Sequence, residues 1–271
     1  MKEDTQEVLD SETQMSFWEH LEAFRWVLLR IVIALIIFAI ASFSCMPWIF
    51  DQIILAPAKP DFWLYETLCT LSQKVSFIPA FCDQNFQIDM INIDLTAQFF
   101  RHLSTSFWLS LILICPYLLF ELWGFISPAL YEHERRHVRW VFFFGSIMFF
   151  IGCLIGYAVI FPMTLRFLYT YSLSDVIHNH ISLDSYLDNF ILLIVAMGLV
   201  FEMPLLSWLL SQIGILKKSF FRTYRRHAIV VLLIAAALIT PTGDPFTLSL
   251  VFFPLYALYE LSIFFVKNDT V

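Results

Sequence analysis

At 271 residues the chain is 59% hydrophobic and only 14% charged, far from the balance of a soluble domain with a polar surface, so the bulk of it is expected to sit in lipid. A net charge of −7 leaves no overall basic footprint for nucleic acid. Thirty Phe, eight Trp and ten Tyr exceed the needs of a compact soluble core, and amphipathic aromatics are favoured at the headgroup level of a bilayer.

Residues 1–14 are acidic and polar and lack the short apolar core of a signal peptide, so the first apolar segment is expected to stay in the mature protein. Ser16-Phe17-Trp18-Glu19 has the form of a capping box and predicts a helix start. Beyond it Phe17, Leu21, Phe24 and Leu28 form an apolar stripe suited to lying on a membrane surface, which makes 1–25 an N-terminal segment with an interfacial amphipathic helix. Apolar runs long enough to cross a bilayer core of about 30 Å start near Trp26, Leu103, Trp140 and Phe190. The tail, about 227–266, is too long for one span and is broken by the turn Thr240-Pro241-Thr242-Gly243-Asp244-Pro245, giving a fifth and a sixth helix. The fifth, 227–240, would be about 21 Å long at the helical rise, short enough to thin the bilayer locally.

These spans leave loops at 47–98, 123–139, 164–188 and 214–227 in a single membrane domain covering 1–271. Twelve of the 16 Lys and Arg fall in the segments that hold both termini, the 123–139 loop and the 214–227 loop; only Lys59, Lys74, Arg101 and Arg166 lie on the other side. The positive-inside rule therefore puts both termini in the cytoplasm and the 47–98 and 164–188 loops outside. Those outer loops, rich in Asp, Pro and aromatics, are expected to fold into a cap.

The five cysteines form no CxxC or Cys/His cluster, which leaves metal and redox motifs unsupported. Cys45, Cys115 and Cys153 read as small buried hydrophobes. Cys69 and Cys82 share the long outer loop, where a disulfide and two free thiols are both open. Glu202 lies near the middle of the fourth span, where an acid costs about 3 kcal/mol and must face a cavity or a partner. Pro116 and Pro204 interrupt helix bonding in their spans, and Gly152 and Gly156 permit close packing in the third. Glu132 and Glu134 sit beside Arg135 and Arg136, so local pairing is the plainer reading of those carboxylates. No hydrolase, zinc or phosphate-loop motif occurs, so no enzyme is expected. A proton-coupled secondary transporter using Glu202 is the alternative function. It calls for polar residues on several spans and often an internal repeat, and neither is visible.

The ordered series of motifs from Phe17 to Glu260 resembles the TatC family. The strongest pieces are Trp123-Gly124-Phe125-Ile126-Ser127-Pro128-Ala129-Leu130-Tyr131-Glu132-His133-Glu134-Arg135, the intramembrane Phe201-Glu202-Met203-Pro204 and the closing stretch from Thr240-Pro241 to Pro254-Leu255. The resemblance implies an all-α, polytopic protein of the bacterial cytoplasmic (inner) membrane, with six transmembrane helices in a concave array, the last two short, and an extracytoplasmic cap. It implies a receptor for twin-arginine signal peptides that transports folded proteins with TatA/TatB-type single-span subunits, self-associates, draws on the proton-motive force and needs no cofactor. Residue by residue, it implies signal-peptide binding by Glu134, with Glu22, Glu19 and Glu132 as further carboxylates and Phe125 and Leu130 as apolar contacts. Glu202 and Thr240 become intramembrane polar points, and Thr240, Thr247 and Leu248 become contacts for a partner helix. Two departures stand out. The family's acidic position in the first helix holds Ala23, with Glu22 one residue earlier and so about 100° around the helix. A polar position in the last span reads Leu248, beside Thr247 and Ser249.

Overall fold

The computed structural model describes residues 17–72, 88, 90–126, 132–174, 179–212, 214–240 and 243–266. Helix α1 (Phe17–Ile49) runs unbroken for 33 residues, because the stretch holds no Gly and its one Pro, Pro47, falls in the last turn. No break separates the expected interfacial stretch from the span. Pro47 cannot donate to the carbonyl of Phe43 four residues back, and a side chain takes up that acceptor: His102 Nε2 lies 3.0 Å from Phe43 O, with its ring stacked on Phe43 at 4.0 Å. His102 belongs to α3 (Ala97–Ile126), so one histidine both repairs α1 and ties the two helices together.

Between α1 and α3 the chain makes a π-helical turn (Phe50–Ile54), a 3₁₀ turn (Ala56–Ala58) and helix α2 (Trp63–Ser72). Irregular backbone at a membrane surface must still place its carbonyls. Tyrosine hydroxyls supply the donors here. Tyr157 donates to Ile53 O at 3.0 Å, Tyr186 to Ile54 O at 2.6 Å, and Tyr65 to Pro57 O at 2.8 Å with Pro162 O at 3.2 Å. The buried Arg166 stands 4.9 Å above the Tyr65 ring. Strand β1 (Met90–Ile91) pairs in parallel with β2 (Ile181–Ser182), Met90 opposite Ile181, which joins the two expected outer loops into one folded cap.

Helix α4 (Glu132–Ile155) continues through a π-helical turn (Gly156–Ile160) into α5 (Phe161–Thr170), whose first turn accommodates Pro162. Helix α6 (Leu183–Phe201) starts at Ser182, whose hydroxyl accepts the Ser185 N–H, and α7 (Met203–Gln212) carries it on after a joint at Glu202. Short α8 (Lys218–Thr223), α9 (Arg225–Ile239) and α10 (Pro245–Phe265) complete the fold, with the Asp244 carboxylate accepting the Thr247 N–H at 2.7 Å to cap α10.

Five helical segments among the described residues are long and apolar enough to cross a membrane: Leu21–Thr70, Ala97–Phe125, Phe142–Thr170, Leu183–Gln212 and Pro245–Phe265. The remaining expected span is present as α9, but its 15 residues reach only about 22 Å against a core of about 30 Å. Helices α4 and α6 approach most closely through glycine. A Cβ on Gly152 would come within 2.6 Å of Met197 O, and one on Gly156 within 3.0 Å of the Ile194 Cα. The glycine pair therefore serves packing inside the molecule.

Candidate functional site

At one end of the bundle the rings of Phe24 on α1 and Phe125 on α3 meet at 5.4 Å. Glu22, one residue before Ala23, is exposed on the same end of α1. Two turns further along, Arg30 reaches across to the buried Glu121 of α3 at 3.3 Å, and the Tyr117 hydroxyl donates to the other carboxylate oxygen at 2.7 Å. Sequence reading passed over this Arg30–Glu121–Tyr117 cluster. Its signal was an acid one turn beyond Tyr117 near the end of a span, but the matching cation lies 91 positions away. Glu19 lies on α1 and Glu132 and Glu134 in the first turn of α4, while their side chains, like all of Leu130, fall outside the described residues.

The second feature is an open groove of about 630 Å³ between α3 and α6, floored by Phe149 of α4. Trp108, Leu111, Cys115 and Leu118 line it from α3, and Leu192, Val195 and Leu199 from α6. Asp188, Leu192, Val195, Leu199 and Glu202 recur at alternating spacings of four and three, so one stripe of α6 carries an acid at each end, about 21 Å apart along the helix. The two acids differ in environment. Asp188 is paired with Arg101 of α3, whose Nη2 lies 3.0 Å from Oδ2, and Arg101 also binds Asp184. Glu202 is 8% exposed, and neither of its carboxylate oxygens has a hydrogen-bond partner.

Local sequence explains where Glu202 stands. Pro204 cannot donate to a carbonyl one turn back, so the helix is reset at Glu202, whose N–H turns to Leu199 O at 3.1 Å. Across from it, α4 presents Gly145, and a Cβ there would lie 3.1 Å from Glu202 Oε2. The carboxylate thus occupies room that a glycine leaves open at the end of an apolar trough.

Thr240 is 4% exposed and donates to Ala236 O at 3.0 Å, ending α9. Thr247 is fully buried, with no partner for its hydroxyl, whereas Leu248 keeps a half-buried side chain and Ser249 an exposed one. Of the three expected partner contacts, therefore, Leu248 alone reaches the surface, and the threonines lie behind it. Cys69 is disulfide-bonded; Cys115 and Cys153 are free and buried as expected, whereas Cys45 is free but exposed on α1, and Cys82 lies outside the described residues. Among the described residues no group of three or more His, Cys, Asp or Glu could hold a metal ion.

Comparison with known proteins agrees with this architecture. Residues 19–254 match the family described as "Sec-independent protein translocase protein (TatC)". A protein of that name from Blattabacterium sp. subsp. Periplaneta americana is 35% identical over 260 residues, covering 94% of this chain and 96% of its own length. The Escherichia coli K12 protein of the same name is 36% identical over 180 residues, 66% of this chain and 68% of its own. A crystal structure described as the "Twin Arginine Translocase Receptor- TatC in DDM" superposes with a TM-score of 0.73 at 27% identity, covering 92% of this chain and all of that one. The chain belongs to the TatC family, and is a multi-pass subunit of the twin-arginine protein translocase in the inner membrane.

Proposed function

We propose that this subunit is the signal-peptide receptor of its translocase: it binds paired arginines at the α1–α3–α4 end and, with TatA/TatB-type subunits, moves folded proteins using the proton-motive force. Two adjacent guanidiniums are rigid forks that pair bidentately with carboxylates, and such pairs strengthen at a half-desolvated interface. Glu134 is the first ligand, with Glu22, Glu19 and Glu132 completing an acidic rim, and Phe125 and Leu130 hold the apolar residues beside the arginines. The peptide's apolar part then lies along the α3–α6 groove, with Glu202 as a polar point inside it, on the side nearer the arginines. A partner helix packs on α9 and α10 against Leu248, with Thr240 and Thr247 behind that surface. Both termini and the 123–139 and 214–227 loops face the cytoplasm in this reading, and the cap faces the periplasm.

The observation that carries the proposal is the groove, a trough of about 630 Å³ whose lining is apolar and whose end holds an unpartnered carboxylate, in a chain of this family. The test is site-specific photo-crosslinking from position 134 to a twin-arginine signal peptide in membranes. It is run beside a paired-lysine peptide and a binding assay on Glu134→Ala. We expect crosslinks to vanish with lysines and binding to weaken about ten-fold in the mutant, the loss of one charge-assisted bond. Equal labelling by both peptides with unchanged binding would leave Glu134 a surface ion-pair partner and remove the receptor assignment from this end.

A further inference from the structure

From Met203 to Gly243 the chain holds no Asp or Glu, although its net charge is −7. Five of its 16 cations fall within ten of those positions: Lys217, Lys218, Arg222, Arg225 and Arg226. This is the connection from α7 to α9, which joins two apolar helices and therefore lies at a membrane surface. It is a folded corner and not a loose loop. Phe221 is buried against the Tyr259 ring at 5.6 Å, Tyr259 donates its hydroxyl to Phe221 O at 2.7 Å, and Arg225 is bound to Glu260 of α10 at 2.6 Å.

Within twelve positions, 215–226, the corner turns two chemistries outward. Ile215, Phe220 and Tyr224 are 65%, 49% and 48% exposed, with the last two rings in contact at 4.8 Å. Lys217, Arg222 and Arg226 are exposed and make no ion pair among the described residues. A soluble anion would leave the aromatic pair uncovered, and a neutral lipid would leave the cations unanswered. We propose that this corner is a binding site for an anionic phospholipid, whose phosphate is taken by Lys217, Arg222 and Arg226 and whose glycerol and upper acyl region lie on Ile215, Phe220 and Tyr224. The site serves equally well on whichever side of the membrane the corner faces.

The full chain, purified in an uncharged detergent, is titrated with phosphatidylglycerol or with phosphatidylcholine, and bound lipids are counted by native mass spectrometry. We expect wild type to prefer phosphatidylglycerol by about ten-fold or more, and the preference to fall by up to about five-fold for each charge removed in Lys217→Gln, Arg222→Gln and Arg226→Gln. Arg222→Lys and Arg226→Lys keep the charge and should keep the preference. Tyr224→Ser should weaken both lipids alike. Equal affinity of wild type for the two lipids overturns the site, as does a preference that survives triple neutralisation. Displacement of bound phosphatidylglycerol by millimolar inorganic phosphate overturns the lipid assignment in favour of a free-anion site. Should the neutralised variants unfold, the wild-type comparison and the lysine and serine variants still decide.

Discussion

Glu202 and Gly152 show opposite ways in which single side chains are constrained here. An unpartnered carboxylate that is 8% exposed opposes stability unless something binds it, so Glu202→Leu is expected to raise thermal stability in detergent by about 1–3 kcal/mol. The same change should lower transport of a twin-arginine passenger. A melting temperature that falls instead would mean the carboxylate makes a stabilising bond in the folded state. Gly152 has no such latitude, because a Cβ would lie 2.6 Å from Met197 O and 2.8 Å from the Phe201 side chain, both on α6. Gly152→Ala should therefore destabilise by about 1–3 kcal/mol. Gly124, with nothing within 4 Å of its Cβ position, is the matched control, and Gly124→Ala should be neutral or slightly stabilising in calorimetric melts.

Among the elements, the cap depends most visibly on a few distant contacts. Its irregular carbonyls at Ile53, Ile54 and Pro57 are met by hydroxyls from α2, the turn after α4, and α6. Removing one hydroxyl leaves buried acceptors bare, so Tyr65→Phe is expected to cost about 1–3 kcal/mol. Amide hydrogen exchange should then quicken over 50–72 while α4 and α6 keep their protection. Uniform quickening across the chain would show that the cap and the bundle unfold as one unit. On the opposite end, Arg30 and Glu121 couple α1 to α3 beside the Phe24–Phe125 contact, so the surface that carries Glu22 is held by an ion pair as well as by ring packing.

For the molecule in its bilayer, α9 is the anomaly. Its neighbours match or exceed the hydrocarbon thickness, and its own 15 residues fall about 8 Å short. A bilayer accommodates a short span by thinning around it. Inserting four apolar residues after Ala236 adds about 6 Å and nearly restores the match. On the proposed function that variant should insert and melt normally yet transport a twin-arginine passenger several-fold more slowly, as read in inverted membrane vesicles. Unchanged transport would make the shortness of α9 incidental to translocation.

Span positions, the short fifth helix, the helix break between Thr240 and Pro245 and the acid inside the fourth span were all legible in the chain, because each follows from a local property: apolar run length, a proline or an isolated charge. The family was legible for the same reason, since its motifs are contiguous. Tertiary structure alone decided which groups meet. Nothing local says that His102 takes the carbonyl that Pro47 frees, that Arg30 binds a carboxylate 91 positions on, or that Gly145 opens room for Glu202. It also turned Thr240 and Thr247 inward, where the motif had suggested a contact surface. Hydropathy fixes how deep a residue sits in the membrane, but its rotation about the helix and its neighbour come only from packing, and those two coordinates make a site.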